Sequence, residues 1–209
     1  MDLATRYLGL QLRNPLIASA SSLSTTIDGV RRLADAGVGA VVLYSLFEEQ
    51  IRRQATRNAA QGGTGTEPSA WAPSYPSEAV NEDDGPRHYL DLLERAAAAV
   101  DIPVIASLNG VTTGEWTDYA TALEQAGAAA IELNVYDLPG DAVFPGRDVE
   151  LRHVEILTTV KAVARVPVAV KMSPYYSSIG EMALRLDRAG ADRPRDRRAR
   201  RPGRAAHCE

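Results

Sequence analysis

Lys171 is the residue whose setting most needs a chemical explanation. It ends the run Val168-Ala-Val-Lys171, so an ammonium follows three apolar residues and is expected to be largely buried. A buried, unpaired ammonium is costly, so an anion or delocalised negative charge is expected beside it. Three chemistries meet that demand: a structural ion pair with an acid such as Glu132, a Schiff-base amine, or a counter-charge to a reduced cofactor. Four further polar clusters end apolar runs, at Ser19-Ala20-Ser21-Ser22, Tyr44-Ser45, Ser107-Leu-Asn109 and Asn134 to Asp137; Lys171-Met-Ser173 is the fifth. Ligands of parallel α/β folds bind at the carboxyl ends of strands, so five such clusters read as one shared binding rim. A single polar strand end usually only caps the next helix, the role expected of Ser24 or Thr113.

Other chemistries find little support in the residue pattern. His88, His153 and His207 are scattered, without the histidine–carboxylate spacing of a metal site, and His88 and His153 are expected on helix surfaces. Cys208 has no base near it in sequence, and neither Gly-x-Ser-x-Gly nor Gly-x-Gly-x-x-Gly occurs, so a hydrolase elbow and a dinucleotide fingerprint are absent.

The elements that must position these groups alternate along the chain. Strands are expected at Leu16 to Ala20, Ala40 to Ser45, Pro103 to Asn109, Ala129 to Tyr136 and Val166 to Pro174. Helices are expected at Thr26 to Ala36, Arg87 to Ala99, Glu115 to Ala126, Val149 to Ala164 and Ser178 to Ala189. Five strands each followed by a helix argue for an α/β fold with a parallel sheet, and nearly unbroken apolar strands for burial on both faces. An internal repeat agrees. Leu33-Ala-Asp-Ala-Gly37 and Leu123-Glu-Gln-Ala-Gly127 each end a helix on glycine before a buried strand. Leu186-Asp-Arg-Ala-Gly190 is a third copy, so a sixth strand is expected to begin near Ala191. Seven arginines and two prolines follow between Arg193 and Glu209 instead. The other irregular stretch, Arg52 to Pro86, carries Gly62-Gly-Thr-Gly65 and is expected to be a lid or binding loop.

The chain has 209 residues, 45% hydrophobic and 24% charged, enough to bury a real core. Its net charge of −4 divides into −9 over residues 1–192 and +5 over residues 193–209. Only Lys161 and Lys171 are lysines, against 21 arginines. The longest apolar stretches are far below the ~20 residues of a membrane span, and Met1 to Leu10 shows no secretory pattern. One cysteine excludes an intramolecular disulfide framework and fits a reducing, cytoplasmic setting. The arginine-rich end reads as an aberrant or disordered tail, the native frame being lost near Asp192, more readily than as a basic arm for nucleic acid.

Several motifs together resemble the dihydroorotate dehydrogenase family, in its class 1 and dihydroorotate dehydrogenase-like branches. They are Leu8-Gly-Leu10, Asn14-Pro-Leu-Ile-Ala18-Ser, Val104-Ile-Ala-Ser107, Glu132-Leu-Asn134 and Val170-Lys-Met-Ser-Pro-Tyr175, and the match covers roughly residues 3–192. The resemblance implies a (β/α)8 TIM-type barrel, here incomplete with about five βα units. It implies FMN at the strand ends and oxidation of dihydroorotate, or a related CH–CH substrate, to orotate in pyrimidine (UMP) biosynthesis. By position, Ser19, Ala20 and Ser21 would lie along the flavin, and Ser45, Asn109 and Asn134 would face flavin or substrate. Lys171 resembles the family lysine beside the flavin's pyrimidine end, and Arg52 to Pro86 corresponds to the segment that closes over substrate.

Three departures stand out. Tyr44 occupies a flavin-side position where the family usually has lysine. Asp137 occupies the position of the catalytic cysteine, within Leu133-Asn-Val-Tyr-Asp-Leu-Pro139, and is the positional candidate for the base. The last three βα units, which hold the FMN phosphate in the family, are absent. The expected organisation is therefore a partial FMN-binding barrel over residues 1–192 and the arginine-rich tail over 193–209, poorly stable alone and binding FMN weakly. The expected partner is a small-molecule substrate, with no membrane and no nucleic acid, and with a homodimer formed if the chain were full length. Two alternatives stay open: a Schiff-base lyase using Lys171, and a non-catalytic barrel fragment with a basic tail.

Overall fold

A computed structural model describes residues 2–53, 85–110, 116–135 and 143–192. Five strands form one parallel sheet in sequence order: β3 (Ile17–Ala18), β4 (Ala40–Phe47), β5 (Val104–Asn109), β6 (Ala130–Asn134) and β7 (Val168–Lys171). The helices between and after them are α1 (Ile27–Asp35), α2 (Pro86–Ala99), α3 (Trp116–Gln125), α4 (Gly146–Val163) and α5 (Ile179–Arg188). The sheet curls as a half-barrel, and consecutive strands are neighbours throughout. This is the βα alternation expected from sequence. The strands are shorter than their apolar runs, except β4, which continues past Ser45 to Phe47. Among the described residues no helix is long and apolar enough to cross a membrane.

Alternate residues of each strand serve two cores. Val41, Leu43, Ala106, Leu108, Ile131 and Leu133 pack outward against Leu92, Leu93, Leu123, Ile156 and Leu157 of the helices. Ala40, Val42, Ile105 and Ala130 face the concave side, where Leu8 and Leu12 cover them. Those leucines come from an element the periodicity did not announce: an antiparallel hairpin of β1 (Thr5–Tyr7) and β2 (Leu10–Leu12), paired Thr5 to Leu12 and Tyr7 to Leu10. Its two-residue turn, Leu8-Gly9, has φ of 53° and 81°, the sign pattern of a type I′ turn. Leucine is a poor residue for that backbone, and burial of its side chain to 4% exposure offsets the strain.

One helix start departs from expectation. Thr26, not Ser24, caps α1, its hydroxyl accepting from the Gly29 N–H at 3.1 Å. Ser24 is fully buried, its hydroxyl donating to the Ser21 carbonyl at 3.0 Å. Thr113 lies outside the described residues.

The internal repeat is real in three dimensions. Gly37, Gly127 and Gly190 follow their helices with φ of 94°, 93° and 100°, a region that favours glycine. Two residues on, the N–H of Gly39, Ala129 and Asp192 donates to Leu16, Val104 and Val168 respectively, at 2.7, 2.9 and 2.9 Å. In the first two copies that bond opens a strand beside its predecessor. In the third, Asp192 takes the same station beside β7, and its carboxylate also receives the Val168 N–H and the Lys161 ammonium at 2.9 and 2.7 Å. Residues 193–209, including the arginine-rich run and Cys208, lie outside the described residues, as does nearly all of the expected lid at 54–84.

Candidate functional site

The concave face is built in layers by strand register. Val42, Ile105 and Ala130 form an apolar floor. One step toward the carboxyl ends come Ser45, Ser107, Glu132 and Ala169, in register across four strands. The next layer is Phe47, Asn109, Asn134 and Lys171. A cavity of about 230 Å³ opens against the floor, lined by Tyr7, Leu8, Ser19, Ile105, Glu132 and Ala169 among others. A larger groove of about 570 Å³ lies between the start of α1 and α2, where no strand end reaches it.

A hydrogen-bonded row runs from Ser45 through the middle layer to Lys171 of the next. The Ser45 and Ser107 hydroxyls are 2.9 Å apart, Ser107 Oγ donates to Glu132 Oε1 at 3.4 Å, and Lys171 Nζ donates to the same oxygen at 3.2 Å. Glu132 is mostly buried, with 18% of its side chain exposed. Burial of the Tyr7 phenol, and secondarily the Glu132 charge near it, hold that phenol above its ordinary range.

Lys171 is not buried, contrary to the sequence expectation: 46% of its side chain is exposed. The apolar run before it sits on β7, beside which only β6 stands among the described residues, and the side chain at the end of that run is half exposed. The anion it was expected to need is Glu132.

The middle layer depends on an irregularity in β4. Register slips between Val42 and Ser45, which face Ile105 and Ser107, so β4 carries one residue more than β5 over that interval. The slip interrupts the regular ladder between Ile105 and Ser107. Tyr89 of α2, fully buried, meets the main chain there: its hydroxyl accepts from the Ser107 N–H at 2.8 Å and donates to the Ser107 carbonyl at 3.3 Å. Burial raises the Tyr89 phenol strongly, so it stays protonated and able to donate. Tyr44, in the bulge, packs edge-on against Tyr89, with ring centroids 5.1 Å apart. It belongs to that contact and the outer core, and not to the hydrogen-bonded row.

The remaining candidates divide. Asn109 and Asn134 are half-buried and adjacent in the upper layer, as expected. Ser19 borders the cavity, and Ala20 packs beside the floor. Ser21 caps the short turn Ser22–Ser24, its hydroxyl accepting from the Leu23 N–H at 3.3 Å. Asp137 lies outside the described residues.

Sequence reasoning missed the supports beneath the rim. His153, expected on a helix surface, is 2% exposed, and its ring nitrogens lie 2.8 and 3.0 Å from the carbonyls of Val149 and Val135. It turns inward because α4 packs that face on the end of β6, and Tyr176 closes over its ring edge-on at 5.3 Å. Glu150, one turn earlier, accepts the Ser177 N–H and hydroxyl at 2.9 and 2.6 Å and the Arg185 guanidinium at 3.3 Å. The Ser177 hydroxyl and N–H hold its carboxyl below the usual range, with Arg185 adding to the effect. Spacing gave no signal for either group, since partners such as Val135 and Ser177 are 18 and 27 residues away.

No family model matches the chain. Among curated proteins, it is 34% identical over 197 residues to the catalytic subunit of dihydroorotate dehydrogenase B (NAD+) from Methanocella arvoryzae, covering 88% of this chain and 58% of that one. The same subunit from Methanothermobacter thermautotrophicus is 30% identical, covering 91% and 59%, and that from Endomicrobium trichonymphae 28%, covering 91% and 60%. The chain thus spans about three-fifths of the length of these relatives. Among solved structures, a phosphonopyruvate hydrolase crystal structure superposes with a TM-score of 0.50 at 17% identity, over 85% of this chain and 56% of the other. At that identity the likeness bears on the fold alone.

Proposed function

The chain is a relative of the dihydroorotate dehydrogenase catalytic subunits over the stretch it shares with them, and from that premise we propose that it is an FMN-dependent oxidoreductase acting on dihydroorotate or a related CH–CH substrate. In this reading residues 1–192 are the first five βα units of a (β/α)8 barrel, and the concave face is its flavin side. The observation that carries it is the upper layer: Asn109, Asn134 and Lys171 stand in register, one layer beyond the Ser45–Ser107–Glu132 row and two beyond the apolar floor. A flat heteroaromatic ring with imide edges needs that combination of an apolar bed, carboxamides that donate and accept, and one cation.

The donor set fits the ring end of FMN. Asn109 and Asn134 would orient it, Ser19 and Ala20 would border it, and Lys171 would hold its ammonium toward the pyrimidine edge. FMN, when bound, supplies a two-electron acceptor for the substrate's hydride. Lys171 would then contribute positive charge where negative charge develops. Glu132 keeps that ammonium oriented, and the Ser45–Ser107 pair keeps Glu132 in place. The second proton of the substrate requires a base, the role we assign by position to Asp137.

The test is direct. Titrating FMN with the full chain should quench flavin fluorescence, and anaerobic dihydroorotate should then bleach the bound flavin and release orotate. A chain that binds FMN but stays oxidised with dihydroorotate overturns the substrate; a chain that leaves FMN fluorescence unchanged overturns the flavin. The amine-nucleophile reading of Lys171 is less well supported, because an ammonium hydrogen-bonded to Glu132 is not the free amine that attacks a carbonyl. Borohydride trapping of a carbonyl compound on Lys171 would reverse that preference.

A further inference from the structure

Lys171 ends β7 on a long, flexible stem, and a lysine side chain 46% exposed would ordinarily sample many rotamers. It does not stand free. Its ammonium donates at 3.2 Å to a carboxylate that is itself mostly buried and fixed from the other side by Ser107. Ser107 is in turn immobilised twice, through its hydroxyl by Ser45 and through its main chain by the buried Tyr89 hydroxyl. Glu132 is therefore an anchored anion beside a mobile cation, and the anchored partner decides where the pair sits. An ammonium has three N–H donors, so one spent on Glu132 leaves two for a ligand.

We propose that Glu132, held by Ser107, is the positioning residue that fixes the Lys171 ammonium against the concave face and compensates its charge until an acceptor group of a ligand shares it. The ligand half of this statement rests on the flavin reading above; the Glu132–Lys171 half does not. Removing the Glu132 charge while keeping its shape releases the amine, both by losing the ion pair and by freeing the stem.

The chain's lysine count makes the test clean. Lys161 and Lys171 are its only lysines, and Lys161 is held elsewhere by Asp192 at 2.7 Å. Limited acetylation of the full chain, read by mass spectrometry as the ratio of Lys171 to Lys161 modification, isolates the site from general effects. Glu132→Gln should raise that ratio about two- to fivefold, the range of a partly exposed ion pair. Ser107→Ala, which leaves both charges in place, should raise it by a smaller factor, and it serves as the second variant should Glu132→Gln fold poorly, a failure visible as faster labelling of Lys161. A ratio unchanged in either folded variant overturns the proposal. The same measurement with FMN separates the two claims. Protection of Lys171 by FMN in the natural chain supports the ligand half. Absence of protection, with the variant ratio still raised, overturns the flavin reading and leaves the role of Glu132 standing.

Discussion

Tyr89→Phe should weaken the protein far more than the loss of one hydroxyl suggests. The ring would stay packed against Tyr44, but the Ser107 N–H and carbonyl would both lose their partner. Both Ser107 and Tyr89 are fully buried beside the β4 bulge, so water cannot readily replace the hydroxyl. Two ordinary hydrogen bonds contribute about 0.5–1.5 kcal/mol each, and an orphaned buried polar group costs about 1–3 kcal/mol. The expected loss is therefore about 2–4 kcal/mol, a large share of a typical stability of about 5–15 kcal/mol. Urea unfolding followed by far-ultraviolet circular dichroism should show a lower midpoint at unchanged slope. Amide exchange should quicken at Ser107 in particular. A loss under about 0.5 kcal/mol, with Ser107 still protected, would mean that the main chain at the bulge has another partner and does not depend on Tyr89.

Three further outcomes follow from the same geometry. Gly39→Ala should cost about 1–3 kcal/mol, because the added methyl would run into the Asn14 carbonyl while the Gly39 N–H ties the residue to Leu16; an unchanged urea midpoint would show that the segment can yield. Glu150→Gln should flatten the acid limb of stability. The folded carboxyl lies below its ordinary 4.5, so its contribution is complete above that pH and is lost as pH falls through the lower folded value; parallel pH profiles for variant and natural chain would count against this. Lys171→Met should weaken FMN binding about tenfold or more at low salt, as loss of a charge-assisted hydrogen bond implies, and equal fluorescence titrations would remove Lys171 from the site.

What the sequence determined by itself is what neighbouring residues decide. The βα alternation follows from short, nearly unbroken apolar runs alternating with the 3.6 period, and the repeated helix ends from Gly37, Gly127 and Gly190, each needing a backbone that glycine adopts freely. The polar strand ends followed too, because a parallel sheet brings every carboxyl end to one rim, and Asn109, Asn134 and Lys171 do share a layer. An acid such as Glu132 is a legible partner for Lys171 from sequence. The exposure of Lys171 is not legible, because burial at a strand end depends on what packs around it, which its own segment does not encode. The hairpin under the floor escaped because Leu8-Gly9 lacks the asparagine or aspartate that usually marks such a turn, and only packing under Ile105 makes leucine acceptable there. Tyr89 and His153 escaped for a related reason. Each sits at an ordinary helix position, and its meaning comes from a main-chain group 18 residues away, beside a bulge or at a strand end. Local pattern set the elements; the register between strands and helices, fixed only when the chain closes on itself, decided which polar groups meet.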